Sequence, residues 1–194
     1  MNDAMRTLST CSVAVVLFAL FASLGEAPSA NGQQPAPPPP PWEEKIIAEV
    51  TLETNLKVTG GPDVLASIPA EKRDLFASLR SWMAMAPDQS LAIGIGRMEM
   101  KPKVPIDLDG AIKGGIQQAV KKGGDEDPKF EVEVTKISGL EGRKTSYQGS
   151  APFRIESIVA RDGQVLYQIQ IFYTAARADD AQRILKSVKI AHAQ

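Results

Sequence analysis

The segment RDGQVLYQIQIFYTAARADDAQRILKSV, from Arg161 to Val188, contains the end of a hairpin, one long strand and a closing helix. Asp162-Gly163 is a strong signal for a two-residue turn between the strands 152–161 and 164–174. A turn at those two residues predicts the register that follows. Arg161 faces Gln164, Ile158 faces Tyr167, Val159 faces Leu166 and Phe153 faces Phe172.

Both faces of this predicted hairpin are apolar. One face carries Ile158, Tyr167, Ile169 and Ile171. The other carries Phe153, Ile155, Val159, Leu166 and Phe172, interrupted by Gln168 and Gln170. Because a strand that is apolar on both sides needs cover on both sides, the pattern predicts a sheet with helices on both faces.

The closing helix is predicted to start at Asp179 as N-cap, with Gln182 at the capping-box spacing. Its packing stripe comprises Ala181, Ile184, Leu185 and Val188. Further upstream, Asp107 is a plausible N-cap for a helix over 106–122. A strand over 89–101 presents Leu91, Ile93 and Ile95 on one face, and its glycines Gly94 and Gly96 suit close packing on the other.

The first part of the body contains weaker patterns. Alternation over 46–58, with the apolar residues at even positions, predicts one strand or two joined near Asn55, ended by the break TGGP at 59–62. The spacing of Leu75, Phe76, Leu79 and Trp82 predicts a helix over 69–83 with Pro69 in its first turn. A strand over 130–137 is expected to bury Phe130, Val132 and Val134, and 143–149 to return as a short strand.

The N-terminal part does not have the composition of a folded domain. The apolar run 11–24 suits a secretory signal, so we expect residues 1–30 to be a signal peptide and the chain to be exported, to the periplasm or outside the cell. Retention of that run as a short anchor is the alternative. Residues 31–43 are expected to be a proline-rich linker, and 44–191 a single α/β domain.

Composition excludes several classes of function for that domain. The whole chain has 22 Lys and Arg against 23 Asp and Glu, which gives no basic field for nucleic acid. The single histidine, His192, lies near the C-terminus, and the single cysteine, Cys11, lies in the signal segment. Zinc sites and nucleophile systems that need histidine or cysteine are therefore not expected.

Two clusters of acidic residues are candidates for metal binding or acid–base chemistry. Asp107 and Asp109 resemble part of a calcium loop but lack its remaining ligands, and the acids of 125–127 suit a solvated turn. GIGRME at 94–99 lacks the third glycine of a dinucleotide fingerprint. We therefore predict no catalytic, cofactor-binding or metal site, and name Gln168, Gln170 and Tyr173 as the candidates for contact with another molecule.

The order of these elements resembles the PsbP-like α/β/α sandwich family. The stretches that carry the resemblance are ISGLEGRKTSYQG, FRIESIVARDGQVLYQIQIFYTA and ADDAQRILKSVKI, in about the last 55 residues. The resemblance implies an α+β three-layer sandwich, with a mostly antiparallel central sheet and helices on both faces. The predicted helix over 69–83 departs from the family pattern and would be an insertion.

The resemblance also implies a non-enzymatic binding or accessory domain, with no cofactor. We expect the partner to be a protein or a component of the cell envelope. Two alternatives stay open: a carrier of a small ligand in the exported compartment, and an envelope hydrolase that uses carboxylates such as Asp107 and Asp109.

Overall fold

The structure is a computed structural model that describes residues 40–122, 128–148 and 153–192. The predicted signal segment 1–30, most of the predicted linker 31–43 and the acids of 125–127 lie outside the described residues. The first described strand begins at Glu43, next to the predicted start of the folded body at residue 44.

The described residues form ten strands and three α-helices. In chain order they are β1 (Glu43–Ile47), β2 (Val50–Thr54), β3 (Val58–Asp63), α1 (Ala70–Arg73), β4 (Phe76–Met85), β5 (Leu91–Met100), α2 (Leu108–Lys122), β6 (Glu133–Ile137), β7 (Leu140–Gln148), β8 (Phe153–Asp162), β9 (Val165–Thr174), α3 (Ala178–Ser187) and β10 (Lys189–Ile190). Short 3-10 turns occupy Leu65–Ser67 and Ala175–Arg177.

The strands form two sheets in which neighbours run antiparallel. The larger sheet has seven strands in the order β3-β4-β5-β9-β8-β7-β6, and the smaller has the order β1-β2-β10. The expectation of a mostly antiparallel sheet is therefore confirmed.

The core divides according to the two faces of β9. Tyr167, Ile169 and Ile171 share one buried cluster with residues of β1, β2, α3 and β10, including Leu52 and Ile184. On the opposite face, Leu166 shares a cluster with Leu108 and Ile112 of α2. The long α2 packs against β7 and β8, and α3 packs against β2 and β9. The two apolar faces predicted for 153–172 are thus both buried.

The predicted hairpin register is wrong by two residues. Asp162 pairs with Val165, Ile158 with Ile169 and Val159 with Gln168, so Gly163 and Gln164 form the turn. The reason is that Gly163 adopts a φ of 57°, whereas Asp162 and Gln164 do not have positive φ. Glycine at the first central position is the pattern of the type II′ turn, whereas the predicted Asp-Gly turn has glycine second.

The predicted helix over 69–83 is also wrong. The chain forms only the short α1 and then the ten-residue strand β4. A bulge between Phe76 and Ser78 places Phe76 and Leu79 in the same cluster, while Trp82 and Ala84 pack on the other face. A bulged strand that is apolar on both faces reproduces the three-to-four spacing of a helix, which explains the error.

The strand pattern at 46–58 also differs from the prediction. The predicted break near Asn55 is confirmed, because β2 ends at Thr54 and β3 begins at Val58, but the chain also turns earlier, at Ala48 and Glu49, where Ala48 has a φ of 52°. That turn reverses the phase, so Ile47 is buried and Ile46 is 74% exposed. TGGP does not end the strand, because it lies inside β3, an edge strand with a bulge between Gly60 and Asp63. Edge strands and bulges are the positions where a sheet tolerates proline and glycine.

The strand predicted over 130–137 is shorter than expected. It begins at Glu133, and Val134 is 77% exposed rather than buried. Val134 lies on β6, the outermost strand of the large sheet, where it pairs with Arg143 of β7. Phe130 and Val132 pack against the core before the strand begins. The strand predicted over 143–149 is confirmed as β7 and is longer than predicted.

One of the two predicted helix N-caps is correct. Asp107 Oδ1 accepts a hydrogen bond from the Gly110 amide at 3.0 Å, which confirms the N-cap of α2. Asp179 is not an N-cap, because the 3-10 turn before it leads into α3 at Ala178, so Asp179 lies in the first turn of the helix. A carboxylate still stabilises the helix there through the macrodipole. The predicted stripe of α3 is confirmed, with Ala181 and Ile184 buried and Leu185 and Val188 packed beside them.

Candidate functional site

Gln168 and Gln170, two of the three residues singled out from the sequence, lie in the interior of the domain. Both side chains are 1% exposed on the central strand β9. Gln168 pairs with Gly96 and Gln170 with Gly94, so the surface of β5 beside both amides is bare backbone. Both glycines are buried, but α2 packs mainly against β7 and β8, so the predicted close packing of a helix on Gly94 and Gly96 is not confirmed.

Two serines on the flanking strands complete a set of uncharged polar groups. Ser157 pairs with Gln170 from β8, and Ser81 pairs with Gly96 from β4. Each serine is 1% exposed. We call Ser81, Ser157, Gln168 and Gln170 the buried polar row. The register places all four on the face of the sheet that also carries Leu166, the α2 face.

The buried polar row retains unused hydrogen-bonding capacity. Within the described part of the chain, no partner lies within hydrogen-bonding distance of Oγ of either serine, Nε2 of Gln168, or Nε2 and Oε1 of Gln170. By contrast, the neighbouring Thr145 donates from Oγ1 to the Glu131 carbonyl at 2.6 Å. Buried polar atoms are nearly always bonded, so such a concentration in one place needs an explanation.

Tyr173, the third residue singled out, lies on the opposite face of the sheet. It is 4% exposed in the cluster that contains α3, and its hydroxyl donates to Oε1 of Glu156 at 3.1 Å. The same oxygen accepts from Ser146 Oγ at 2.9 Å. Burial raises the pKa of Tyr173 above its ordinary value, and the Glu156 carboxylate raises it further. The structure therefore does not bring Tyr173 together with the two glutamines.

A charged cluster at the end of the large sheet was not predicted. Nε of Arg97 lies 3.0 Å from Glu49 at the β1–β2 turn, and its Nη1 lies 3.3 Å from Glu99. Burial opposes the charge of Arg97, but these carboxylates outweigh it and raise the pKa of the guanidinium. Nearby, burial and Glu49 raise the pKa of the Tyr167 hydroxyl. Glu49 and Arg97 are 48 positions apart, so no local sequence signal could have joined them.

A second candidate surface runs along β1. A groove of about 570 Å³ separates β1 from the end of β3 and from β4. Its lining consists of Glu43, Glu44, Lys45, Ile46, Ile47, Ala48, Lys57, Val58 and Trp82. Because β1 is the edge of the small sheet, its outer backbone borders this groove. We call this surface the β1 groove, and Ile46 is its most exposed large apolar residue.

The acidic and histidine candidates have structural partners. Asp107 caps α2, and Asp109 forms an ion pair with Arg143. His192 lies 3.3 Å from Asp162, with its side chain 70% exposed. Across residues 40–122, 128–148 and 153–192, no three His, Cys, Asp or Glu side chains converge as a metal site would require.

The sheet order, the two long helices and the buried central strand define a strand-rich α+β domain with a PsbP-like fold. The chain is similar in structure to cyanobacterial PsbP (CyanoP) from Synechocystis sp. PCC 6803, whose solution structure is known. The TM-score is 0.51 at 8% sequence identity, over 83% of this chain and 98% of that chain. At this identity the likeness concerns the fold, and the resemblance predicted from the last 55 residues is confirmed at that level.

Sequence comparisons add no relative. Neither the models of protein families nor the curated proteins include a match to this chain. Within the described ranges, none of the helices combines the length and apolar character that crossing a bilayer requires.

Proposed function

We propose that this chain is an exported, non-enzymatic binding domain that docks an extended segment of a protein partner in the β1 groove. The observation that carries the proposal is the combination of an open strand edge with an exposed aliphatic side chain, Ile46, beside a groove of about 570 Å³. An extended peptide can add to such an edge through its main chain.

The lining of the β1 groove favours a peptide over a small apolar ligand. Three of its residues are carboxylates or amines of β1 itself: Glu43, Glu44 and Lys45. The lining also contains the apolar Ile46 of β1 and Trp82 of β4. An extended segment that carries an apolar residue flanked by charged ones would meet both kinds of group, with the main-chain hydrogen bonds supplying affinity.

The edge of β1 is also distinguishable from that of β6, one of the two edge strands of the large sheet. β6 carries Val134, which is 77% exposed and matches Ile46 at 74%. Val134 does not line the β1 groove or either of the two other cavities found among the described residues. Comparing substitutions at Ile46 and Val134 therefore distinguishes docking in the groove from nonspecific hydrophobic binding to an exposed aliphatic residue.

The proposal that the domain is not an enzyme is supported by its residue content. The sequence has one histidine and one cysteine, and Cys11 lies in the segment that we infer to be a signal peptide. The apolar run 11–24 and the proline-rich stretch that follows support export to the periplasm or beyond. In that arrangement the linker would hold the domain away from whatever its N-terminus meets.

We also infer the full three-layer α/β/α arrangement for this fold. The support comes from the positions of the two longer helices. α2 packs against β7 and β8 on the face of the sheet that carries Leu166, and α3 packs against β2 and β9 on the face that carries Ile169.

Selection from a random peptide display library tests the docking proposal. We expect the purified domain to enrich extended peptides, Ile46→Asp to abolish that enrichment, and Val134→Asp to retain it. Because both side chains are exposed, both variants should unfold at the temperature of the unchanged protein. The proposal would be contradicted if the Ile46→Asp variant enriched peptides as well as the unchanged protein does, or if the unchanged protein enriched none.

A further inference from the structure

The buried polar row is the feature of the domain that packing does not explain. Its four side chains are each 1% exposed, and five of their polar atoms lack a partner among the described residues. Leaving a buried donor or acceptor unpaired costs free energy that an apolar residue of similar shape would avoid. The same face of the sheet already carries Val159 and Leu166 in an apolar cluster, so apolar residues are acceptable in this environment.

Four of these five atoms, those of Ser157, Gln168 and Gln170, lie close enough together to serve one molecule, whereas Ser81 lies two strands away from β9. Ser157 and Gln170 are directly paired on neighbouring strands, which places their side chains about 5 Å apart. Gln168 lies two residues along β9 on the same face, with Gly94 and Gly96 of β5 beside the two amides. The glycines leave this part of the α2 face without side chains, between the glutamines of β9 and Ser81 of β4.

The chemistry of the row defines the class of ligand. None of the four side chains is ionisable, so a charged ligand would lose its hydration with no opposite charge to compensate. Gln170 offers both a donor and an acceptor from one planar amide, and the serines offer hydroxyls that do either. This set matches a compact neutral molecule whose own donor and acceptor lie side by side.

We propose that the buried polar row is a binding site for a small uncharged molecule that bears a primary amide or an equivalent donor–acceptor pair. This site is separate from the β1 groove, because the row lies on the α2 face and the groove lies between the small sheet and β3–β4. Since the row is fully buried, the ligand enters during an opening motion of the structure that covers the sheet.

Acetamide is a suitable probe because it carries only the required group. Titration into ¹⁵N-labelled protein should shift the side-chain NH₂ signals of Gln168 and Gln170 and raise the unfolding temperature. N,N-dimethylacetamide, which has no donor, should bind more weakly, and acetate, which is charged, should leave both signals unchanged.

Substitutions decide whether the row is responsible. Gln170→Met keeps the length of the side chain without its amide and should weaken acetamide binding by about tenfold or more. Gln148→Met, on an exposed residue of β7, is the matched control and should bind as the unchanged protein does. Ser157→Ala provides a second variant if Gln170→Met does not fold.

The possible results are distinct. Shifts confined to the two glutamines and lost in the row variants support the site. Absence of any acetamide effect, equal effects of acetamide and acetate, or unchanged binding in both row variants overturns it. None of these results depends on whether Ile46 is intact, so the docking proposal can fail or hold independently.

Discussion

At the scale of single residues, Gln170 shows what a sequence pattern can and cannot predict. The alternation of β9 identified Gln168 and Gln170 as interruptions of an apolar face, and the structure places both on that face. The pattern predicts cover on both faces, but it does not predict which groups lie beside the two amides, because β5 is distant in sequence. Tyr173 was grouped with them from the same stretch, yet an odd position in a strand puts it on the other face.

Replacement of Gln170 by methionine is expected to stabilise the ligand-free protein. The change removes two buried polar atoms without partners and keeps the side-chain volume nearly constant, so the free energy of unfolding should rise by about 1–3 kcal/mol. Urea denaturation measures this, with Gln148→Met as the control that should change little. A loss of stability of similar size would mean that the Gln170 amide is satisfied in the folded protein.

Because the Tyr173 hydroxyl titrates differently in the folded and unfolded states, we expect the protein to lose stability in alkaline solution. Its pKa in the folded state is raised above the ordinary value of 10.0, so the unfolded state loses its proton first as the pH rises. The stabilisation is fully present below pH 10 and is lost as the pH rises through the folded pKa. Tyr167, whose pKa is raised mainly by burial, acts in the same direction.

Measured from pH 8 to pH 11 (about the accessible alkaline range), the free energy of unfolding should therefore decline above about pH 10. Tyr173→Phe should have a shallower decline, because it removes one of the hydroxyls that titrate in this range. A decline equally steep in Tyr173→Phe would contradict the assignment.

At the scale of elements, strands were predicted where the alternation was regular and missed where a bulge intervened. β5 and β9 pair with each other without a bulge, and both were predicted. β4 imitates a helix because its bulge and its two apolar faces produce helical spacing. The error in the β8–β9 register has a different origin, since the Asp-Gly signal identifies a turn but does not say which two residues form it.

The close pairing of β3 with β4 at Gly60 gives a test at this scale. Gly60 has a φ of 106°, and a Cβ there would lie 2.7 Å from the Ser81 carbonyl oxygen. Gly139 has a similar φ of 88° but open space around it. Alanine at either position adds backbone strain of about 1–3 kcal/mol.

Only Gly60→Ala also adds a clash with backbone, so it should lower the free energy of unfolding by more than Gly139→Ala does. Thermal unfolding of the two variants measures the difference. Equal losses would show that β3 can move away from β4 at no cost.

At the scale of the whole molecule, the PsbP-like fold could be inferred from the last 55 residues, but the small sheet could not. β10 has two residues, and its pairing of Ile190 with Val50 joins the two ends of the domain. Trp42, half-buried against the same cluster with Arg183 4.4 Å from its ring, fixes the start of β1. The β1 groove exists only because these distant segments meet, so no local pattern could indicate it.

The central claim is that a partner segment adds to the edge of β1. Hydrogen exchange measured by NMR, on the domain with and without a peptide enriched from the library, tests it most directly. The account predicts slower exchange on peptide binding for amides of Glu43–Ile47, with those of the β6 edge strand Glu133–Ile137 unchanged. Protection at β6 or elsewhere, with β1 exchanging as it does in the free domain, would contradict the claim.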